Sequence, residues 1–315
     1  MDYDTAAREL IRALRGARSQ AALQRRLKRK SNVLHAWETG TRYPSVSDLL
    51  LLAQLSGRSP HALLSRFAPC RGATLRALGT SFLNGALRDR SQAELARALG
   101  VNRNTMARWL SGATEPRLPQ LLAFVEVTTQ RLLEFLGELA DPARLPSVAG
   151  AYRDLEQQRS LAYTRPWSHA VLRALELEPY RELPRHVPGF IAERLGIALE
   201  EEQACLSALL KAKQIRRRAG RFTVARVLAV DTREDPDGNL ALKRHWFGVA
   251  SAELERRGIG PDALASYNLF AIAEADLARV RQAHLDYYER IRAIVAESKR
   301  PSRVVLTTIG LLPLA

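Results

Sequence analysis

The chain contains an internal repeat, in which residues 18–50 return as residues 90–122 without a gap. About 13 of the 33 aligned positions are identical at this constant offset of 72 residues. Each copy has a tryptophan, a glycine and a proline in register, at Trp37, Gly40 and Pro44 in the first copy and at Trp109, Gly112 and Pro116 in the second. Two copies indicate two small domains of one kind, because a solenoid needs three or more repeats.

The second copy predicts a short helix, a tight turn and another short helix. Ser91 is a typical N-cap, and Glu94 three residues later completes a capping box. Gly100 suits the left-handed turn that ends the first short helix, and Asn102 can cap the next, which ends at Gly112.

Longer helices are expected on both sides of this pair, over residues 75–87 and 118–136, because apolar residues recur there at helical spacing. In the second short helix, Met106, Trp109 and Leu110 share the face expected to be buried. Two short helices joined by a tight turn are typical of a helix-turn-helix, whose second helix enters the major groove of DNA.

The second copy reads Gln92-Ala-Glu-Leu-Ala, then Gly100-Val-Asn-Arg-Asn-Thr-Met-Ala-Arg-Trp109, then Gly112 and Pro116. This pattern resembles the Cro/phage-repressor (xenobiotic-response-element) helix-turn-helix family. The first copy resembles the family through Trp37-Glu38-Thr39-Gly40 and Arg42-Tyr43-Pro44, but has Lys28-Arg29-Lys30 where the family has its turn glycine. The resemblance covers about residues 5–67 and 75–137 and implies two tandem five-helix domains.

The resemblance also implies which side chains meet double-stranded DNA. At the reading positions of the second copy stand Arg103, Asn104 and Arg108; arginine can pair with guanine and asparagine with adenine. The equivalents in the first copy are Ser31, Asn32 and Ala36, with His35 beside them, although Ser31 and Asn32 are equally compatible with helix caps. Phosphate contacts are expected from Gln20 and Gln92, which match the family's phosphate-contacting glutamine, and from the basic run Lys28, Arg29 and Lys30.

Two helix-turn-helix units in one chain are compatible with several arrangements of DNA half-sites. Successive major grooves on one face of DNA lie roughly 34 Å apart, so the site is either a direct repeat or a pseudo-palindrome. A homodimer of the chain would cover up to four half-sites. Alternatively, one copy only packs against the other; we expect the first to anchor and the second to read.

The net charge of +15 is concentrated in the repeats. Residues 1–72 contain 13 basic and 5 acidic residues, and residues 73–140 contain 8 and 6, which together give +10. Excess positive charge on small domains is typical of proteins that bind a polyanion. A generally arginine-rich composition would also raise the charge, because arginine outnumbers lysine throughout the chain.

Other features argue against a membrane protein or an enzyme. The longest apolar stretches are too short to span a membrane, and the N-terminus lacks the order of a signal peptide, so a cytoplasmic protein is expected. Cys70 and Cys205 stand far apart, and the six histidines are scattered without metal-ligand spacing. No phosphate-binding glycine loop or nucleophile elbow is present. We therefore predict no enzyme, no metal and no cofactor.

The C-terminal half begins after an expected linker over residues 141–160. Three helices are predicted at 167–177, 187–195 and 199–213, followed by a hairpin at 214–224. This order resembles a winged helix over 161–230, with Ile191-Ala-Glu-Arg-Leu-Gly-Ile197 as its second helix. The carboxylates of Glu200, Glu201 and Glu202 argue against groove insertion, whereas the arginines at 216, 217, 218 and 221 could touch the DNA backbone.

Residues 231–315 are predicted to form a small α/β cap. An exposed turn is expected at 231–238, helices at 243–257 and 274–298, and strands at 267–272 and 304–312. From Tyr163-x-x-x-Trp167 to Leu311-Leu-Pro-Leu314 the sequence resembles an uncharacterised bacterial family that ends in a Phe/Leu-Pro-Leu tail, whose members are regarded as regulators.

The sequence therefore predicts a mainly α protein: two tandem five-helix Cro-like helix-turn-helix domains (1–70 and 73–140), a linker, a winged-helix-like unit and an α/β effector or oligomerisation region (231–315). The expected function is sequence-specific transcription regulation by a homodimer that responds to an unidentified metabolite, peptide or protein. Alternatives are an antitoxin or other partner-binding module with autoregulatory DNA binding and, less favoured, a DNA-linked enzyme.

Overall fold

The computed structural model describes residues 1–28, 32–87, 90–225, 235–258, 260 and 263–314. These residues divide into two compact units, residues 1–156 and the described residues from 157 onward. Each unit has its own hydrophobic core.

The described residues of unit 1 (residues 1–156) form ten α-helices in two sets of five, followed by the start of an eleventh α-helix. The first set is α1 Tyr3–Arg15, α2 Gln20–Arg26, α3 Val33–Thr39, α4 Val46–Leu55 and α5 Pro60–Ser65. The second set is α6 Leu75–Leu87, α7 Gln92–Ala98, α8 Arg103–Leu110, α9 Leu118–Thr129 and α10 Leu132–Leu139. Four helices of the second set begin 72 residues after their counterparts, and α8 begins two residues earlier than that offset gives.

Local side-chain chemistry explains where the short helices begin. The hydroxyl of Ser91 accepts a hydrogen bond from the Glu94 amide (3.2 Å), and the Glu94 carboxylate accepts one from the Ser91 amide (3.1 Å). This is the predicted capping box. Ser19 caps α2 at the equivalent position, and the Asn102 side chain caps α8 by accepting from the Thr105 amide at 2.6 Å.

The turns that end α2 and α7 have the same backbone conformation but different residues. Gly100 has φ of +65°, the left-handed conformation that glycine tolerates. Lys28, its counterpart 72 residues earlier, has φ of +52°. The first repeat therefore makes the same turn with a side chain that disfavours it.

The helix predicted over 118–136 is two helices, α9 and α10. Gln130 has φ of +56° and ends α9, and α10 then begins at Leu132. The apolar pattern runs through this break because both helices bury their faces in the same core, which includes Phe124 and Phe135. Periodicity alone could not locate the break.

The two sets of helices pack against each other reciprocally. Helix α1 contacts α9, and the equivalent pair α6 and α4 are also in contact; likewise α1 contacts α10, and α6 contacts α5. Helix α4 also meets its own counterpart α9, and α5 meets α10. Two further contacts join equivalent residues: an isolated antiparallel bridge between Ser45 and Arg117, and an ion pair between Arg66 and Glu138. The core formed in this way is continuous across both sets.

The segment predicted as a linker is largely helical. A 3-10 helix spans Pro142–Arg144, and α11 spans Pro146–Thr164 and contains the boundary between the units. The beginning of α11 is fixed to α1, because the amide and hydroxyl of Ser147 both donate to the Glu9 carboxylate, the hydroxyl at 2.6 Å.

Unit 2 contains the predicted helices and hairpin of residues 161–230. Its elements are α12 Trp167–Leu175, α13 Glu178–Arg181, α14 Phe190–Leu195, α15 Leu199–Lys211, β1 Ile215–Arg218 and β2 Arg221–Val224. The strands pair antiparallel with Ile215 opposite Val224. Both turn residues, Ala219 and Gly220, have positive φ, as a two-residue type I′ hairpin turn requires.

The predicted α/β cap is wrong. Residues 267–272 and 304–312 are not strands, and β1–β2 is the only sheet in the described part of the chain. Tyr267 is 95% exposed and Leu269 77% exposed, so this apolar segment lacks the neighbouring strand and the packed face that a β-strand needs.

Two long helices lie in the described part of residues 235–314. Helix α16 spans Pro236–Arg257 and begins earlier than predicted, because Asp235 caps it by accepting from the Gly238 amide at 3.0 Å. The expected turn at 231–238 therefore ends inside a helix, and its residues 231–234 lie outside the described residues. Helix α17 spans Glu274–Glu297, close to the predicted bounds. No helix among the described residues is long and apolar enough to span a membrane.

Candidate nucleic-acid interface

Helix α8 exposes the three side chains that were predicted to read DNA. Its opposite face is buried in the core through Met106, Trp109 and Leu110. This burial leaves Arg103, Asn104 and Arg108 on the solvent side, all exposed.

These three side chains are available for a ligand. Within the described residues, no hydrogen bond or ion pair involves the guanidinium groups of Arg103 and Arg108 or the amide of Asn104. Arg103 is the first residue of α8, so its side chain projects from the helix end next to the turn. A rigid helix thus presents two cations and one amide with all their donors free.

Gln92 extends this surface onto α7. It is the first residue of that helix, it is exposed, and its side-chain amide has no partner in the described part of the chain. The Ser91–Glu94 capping box fixes the helix end on which Gln92 stands. The structure therefore brings Gln92 and the exposed residues of α8 onto the α7–turn–α8 segment.

The corresponding surface of the first repeat is only partly described. Asn32 and His35 are exposed, and Asn32 occupies the N-cap position of α3 without a side-chain capping bond. Lys28 is exposed in the turn before α3. The other predicted contacts, Arg29, Lys30 and Ser31, lie outside the described residues.

Gln20, in contrast, is turned toward the protein interior. Its amide donates to the Glu38 carboxylate at 2.6 Å, and the Arg15 guanidinium donates to the same carboxylate at 2.5 Å. Arg12 donates to the backbone carbonyl of Glu38 at 2.8 Å. Glu38 is only 5% exposed, so these partners satisfy a buried charge.

The second repeat replaces this buried ion pair with leucines. Leu87 stands at the position of Arg15, and Leu110 at the position of Glu38. Asn84, the counterpart of Arg12, keeps the contact with the reading helix by donating to the Leu110 carbonyl at 2.8 Å. Without a buried carboxylate to satisfy, Gln92 stays exposed. The burial of Glu38 was not predicted, although its place beside the core residue Trp37 was a signal.

The hairpin of unit 2 is basic. Arg216, Arg217 and Arg218 are exposed along β1, and the Arg217 guanidinium lies 5.9 Å from the centre of the Phe222 ring. The predicted hairpin is therefore present, and it exposes positive charge along β1.

The three carboxylates at the start of α15 do not form one acidic surface. Glu202 is fully buried and accepts hydrogen bonds from the amides of Ala192 (2.6 Å) and Gly189 (3.2 Å). Glu201 lies 3.5 Å from the Arg165 guanidinium, which leaves Glu200 as the exposed member. The expected repulsion of phosphates by all three was wrong, because one carboxylate caps α14 from inside.

A histidine completes this buried polar cluster. His186 Nε2 lies 3.5 Å from the Glu202 carboxylate, and Nδ1 lies 3.3 Å from the Tyr180 hydroxyl, which accepts from the Phe222 amide. Burial lowers the pKa of His186, against the opposing effect of Glu202, and Arg217 lowers it further. The cluster ties α13, α15 and the hairpin together.

Comparison with sequence families places the two halves separately. The family described as "Domain of unknown function (DUF4423)" matches residues 149–314, more than half of the chain. The chain belongs to the DUF4423 family. The DUF4423 region begins within α11, near the boundary between the units, and agrees with the predicted resemblance of the C-terminal half to an uncharacterised family.

A helix-turn-helix family matches residues 86–135 of this DUF4423 protein. That range includes α7, α8 and α9, so the predicted helix-turn-helix of the second repeat is confirmed. A helix-turn-helix domain indicates a DNA-binding regulator. Comparisons with curated proteins and with solved structures gave no significant match.

Proposed function

We propose that this DUF4423 protein is a sequence-specific transcription regulator, not an enzyme, with tandem Cro-like helix-turn-helix domains and a C-terminal region for sensing or oligomerisation. The observation that carries the proposal is the face of α8, where Arg103, Asn104 and Arg108 are exposed and unpaired inside a matched helix-turn-helix.

The chemistry of this face suits the major groove. An eight-residue helix is about 12 Å long, and the groove is about 12 Å wide and admits an α-helix. Arg103 and Arg108 can each donate two hydrogen bonds to the O6 and N7 of a guanine, and Asn104 can pair with the N6 and N7 of an adenine. Each good pair discriminates against the wrong base by about 1–3 kcal/mol.

Phosphate contacts supply the remaining affinity. Gln92 and Lys28 are exposed beside the reading helices, and the repeats hold most of the net charge of +15. Neutralising phosphates releases counterions, so binding should weaken steeply with salt. In the first repeat, Asn32 and His35 are the candidates for base contacts, although Gln20 is held by Glu38.

Unit 2 is proposed to resemble a winged helix whose basic hairpin adds contacts to the DNA backbone. Its C-terminal part exposes large apolar side chains, among them Leu264 (97%) and Tyr267 (95%). Exposed apolar surface favours a protein contact. That contact is either a homodimer or a bound partner, and the latter corresponds to the antitoxin-like alternative.

The test is selection of genomic DNA fragments followed by footprinting, with wild type and with Arg103→Ala/Arg108→Ala. The matched control is Arg144→Ala/Arg153→Ala, which removes two exposed arginines elsewhere in unit 1. We expect a discrete protected site that the first double variant binds at least 100-fold more weakly and that the control still protects. Equal binding of all fragments by wild type, or none, would refute the proposal.

A further inference from the structure

The contacts between the two repeats obey the rule for a two-fold interface. In such an interface, if element i of one half contacts element j of the other, then j of the first contacts i of the second. The pairs α1–α9 and α4–α6 satisfy this rule, as do α1–α10 and α5–α6. A head-to-tail arrangement would produce one member of each pair without its counterpart.

The position of the two-fold axis follows from the residues that meet their own counterparts. Ser45 and Arg117, which are 72 residues apart, pair in an antiparallel bridge. Arg66 and Glu138, which are also 72 residues apart, form an ion pair. An element can contact its symmetry mate only next to the axis. The axis of unit 1 therefore passes beside both contacts.

This axis relates the reading helices α3 and α8. A two-fold rotation does not change a direction that is parallel to its axis. If the exposed face of α8 points along the axis to some degree, the exposed face of α3 points the same way to the same degree. Gly40 and Gly112 each lie five residues from the Ser45–Arg117 bridge. Five residues reach at most about 18 Å, which allows up to about 40 Å between the ends of the two helices. The roughly 34 Å between successive major grooves falls within this limit.

We infer that one chain acts as a fused pseudo-dimer that occupies a complete site of two inverted half-sites; this inference rests on the proposed function. Protein two-fold symmetry is mirrored in the DNA site. The direct repeat, which the sequence left open, requires a translation between the readers that the reciprocal contacts do not provide.

The two half-sites differ in sequence. At the three reading positions the repeats share only asparagine, Asn32 and Asn104. The second repeat adds two arginines, which favour guanine, whereas the first has serine and alanine there. One position should therefore prefer adenine in both halves, and the guanine contacts should occur in one half only.

The experiment starts from the site obtained by selection. We would compare the full chain on that duplex with a duplex in which one half is reversed to make a direct repeat of the same spacing, and would count chains per duplex by native mass spectrometry. We expect equal numbers of chains and duplexes on the selected site, with half-site centres about one helical turn apart. The direct repeat should bind at least 10-fold more weakly.

Matched variants test each half. Asn32→Ala and Asn104→Ala remove the same amide from equivalent positions, and each should relax base preference in one half-site only. Equal affinity for the direct repeat, or two chains on each inverted site, would overturn the inference but leave the proposed function intact. If no duplex is bound above random DNA, the proposed function itself fails.

Discussion

The left-handed turn at Lys28 allows one stability prediction to be worked through. A residue with a Cβ in this conformation costs about 1–2 kcal/mol, and the greater freedom of glycine in the unfolded chain costs about 0.5–1 kcal/mol. Replacing Lys28 with glycine should therefore be more stabilising than replacing it with alanine, by about 1 kcal/mol. Comparing the two variants isolates the Cβ, because both remove the same charge.

The equivalent position provides the reverse experiment. Gly100→Ala should destabilise the protein by about 1 kcal/mol through the backbone alone, because no atom lies within 4 Å of the added Cβ. Ala107→Gly is the control in the middle of α8, where glycine should cost about 1 kcal/mol. Glycine in place of alanine should therefore raise the stability at position 28 and lower it at position 107.

The measurement is thermal unfolding of the full chain followed by tryptophan fluorescence, since Trp37 and Trp109 are both buried in unit 1. A change of 1 kcal/mol should shift Tm by about 2–4 °C for a unit of this size. If alanine to glycine destabilises position 28 as it does position 107, Lys28 does not adopt the left-handed turn and the reasoning fails.

Three further predictions concern pH, salt and phosphate contacts. Because the pKa of His186 is lowered in the folded state, unfolded chains bind more protons, so stability should fall as pH drops below the ordinary value of 6.5. Unfolding at several pH values should show this loss, and His186→Gln should reduce it. Replacing Arg216 and Arg218 together with glutamine should reduce the slope of log affinity against log salt by up to about 1.8, without changing the preferred sequence. Gln92→Ala should weaken binding to all DNA about 5-fold, the equivalent of one hydrogen bond, whereas Gln20→Ala should lower stability by about 1 kcal/mol because a buried acceptor loses its donor.

A specific outcome would contradict each of these predictions. A stability that is unchanged or rises between pH 6.5 and 5.5 would contradict the lowered pKa of His186. An unchanged salt slope would show that the hairpin makes no contact with DNA. If Gln20→Ala weakened DNA binding as much as Gln92→Ala did, the inward orientation of Gln20 would not persist on DNA.

The sequence was sufficient where a side chain acts on its own backbone. Ser91, Glu94 and Asn102 cap helices within three residues of themselves, and the predicted bounds of α7 and α8 follow from them. The apolar spacing likewise predicted α6, whose bounds Leu75–Leu87 agree with the structure, whereas it merged α9 and α10 into one helix.

Long-range contacts decided what the sequence could not. Glu202 looked like one of three exposed acids, yet amides ten and thirteen residues earlier hold it inside unit 2. Gln130 ends a helix in the left-handed conformation, which a glutamine does not predict. The expected strand at 267–272 had a suitable composition but no neighbour to pair with, and pairing is a property of the fold.

The two-fold packing of unit 1 determines how the pairing of its two halves depends on the concentration of the protein. Separate chains that form such a pair fall apart on dilution, whereas the segment between α5 and α6 keeps these halves at a high effective concentration at any expression level. Assembly of the pair therefore needs no second copy of the gene product. Each half can also mutate alone, so under the proposed function the base preference of one half-site can change while that of the other is kept.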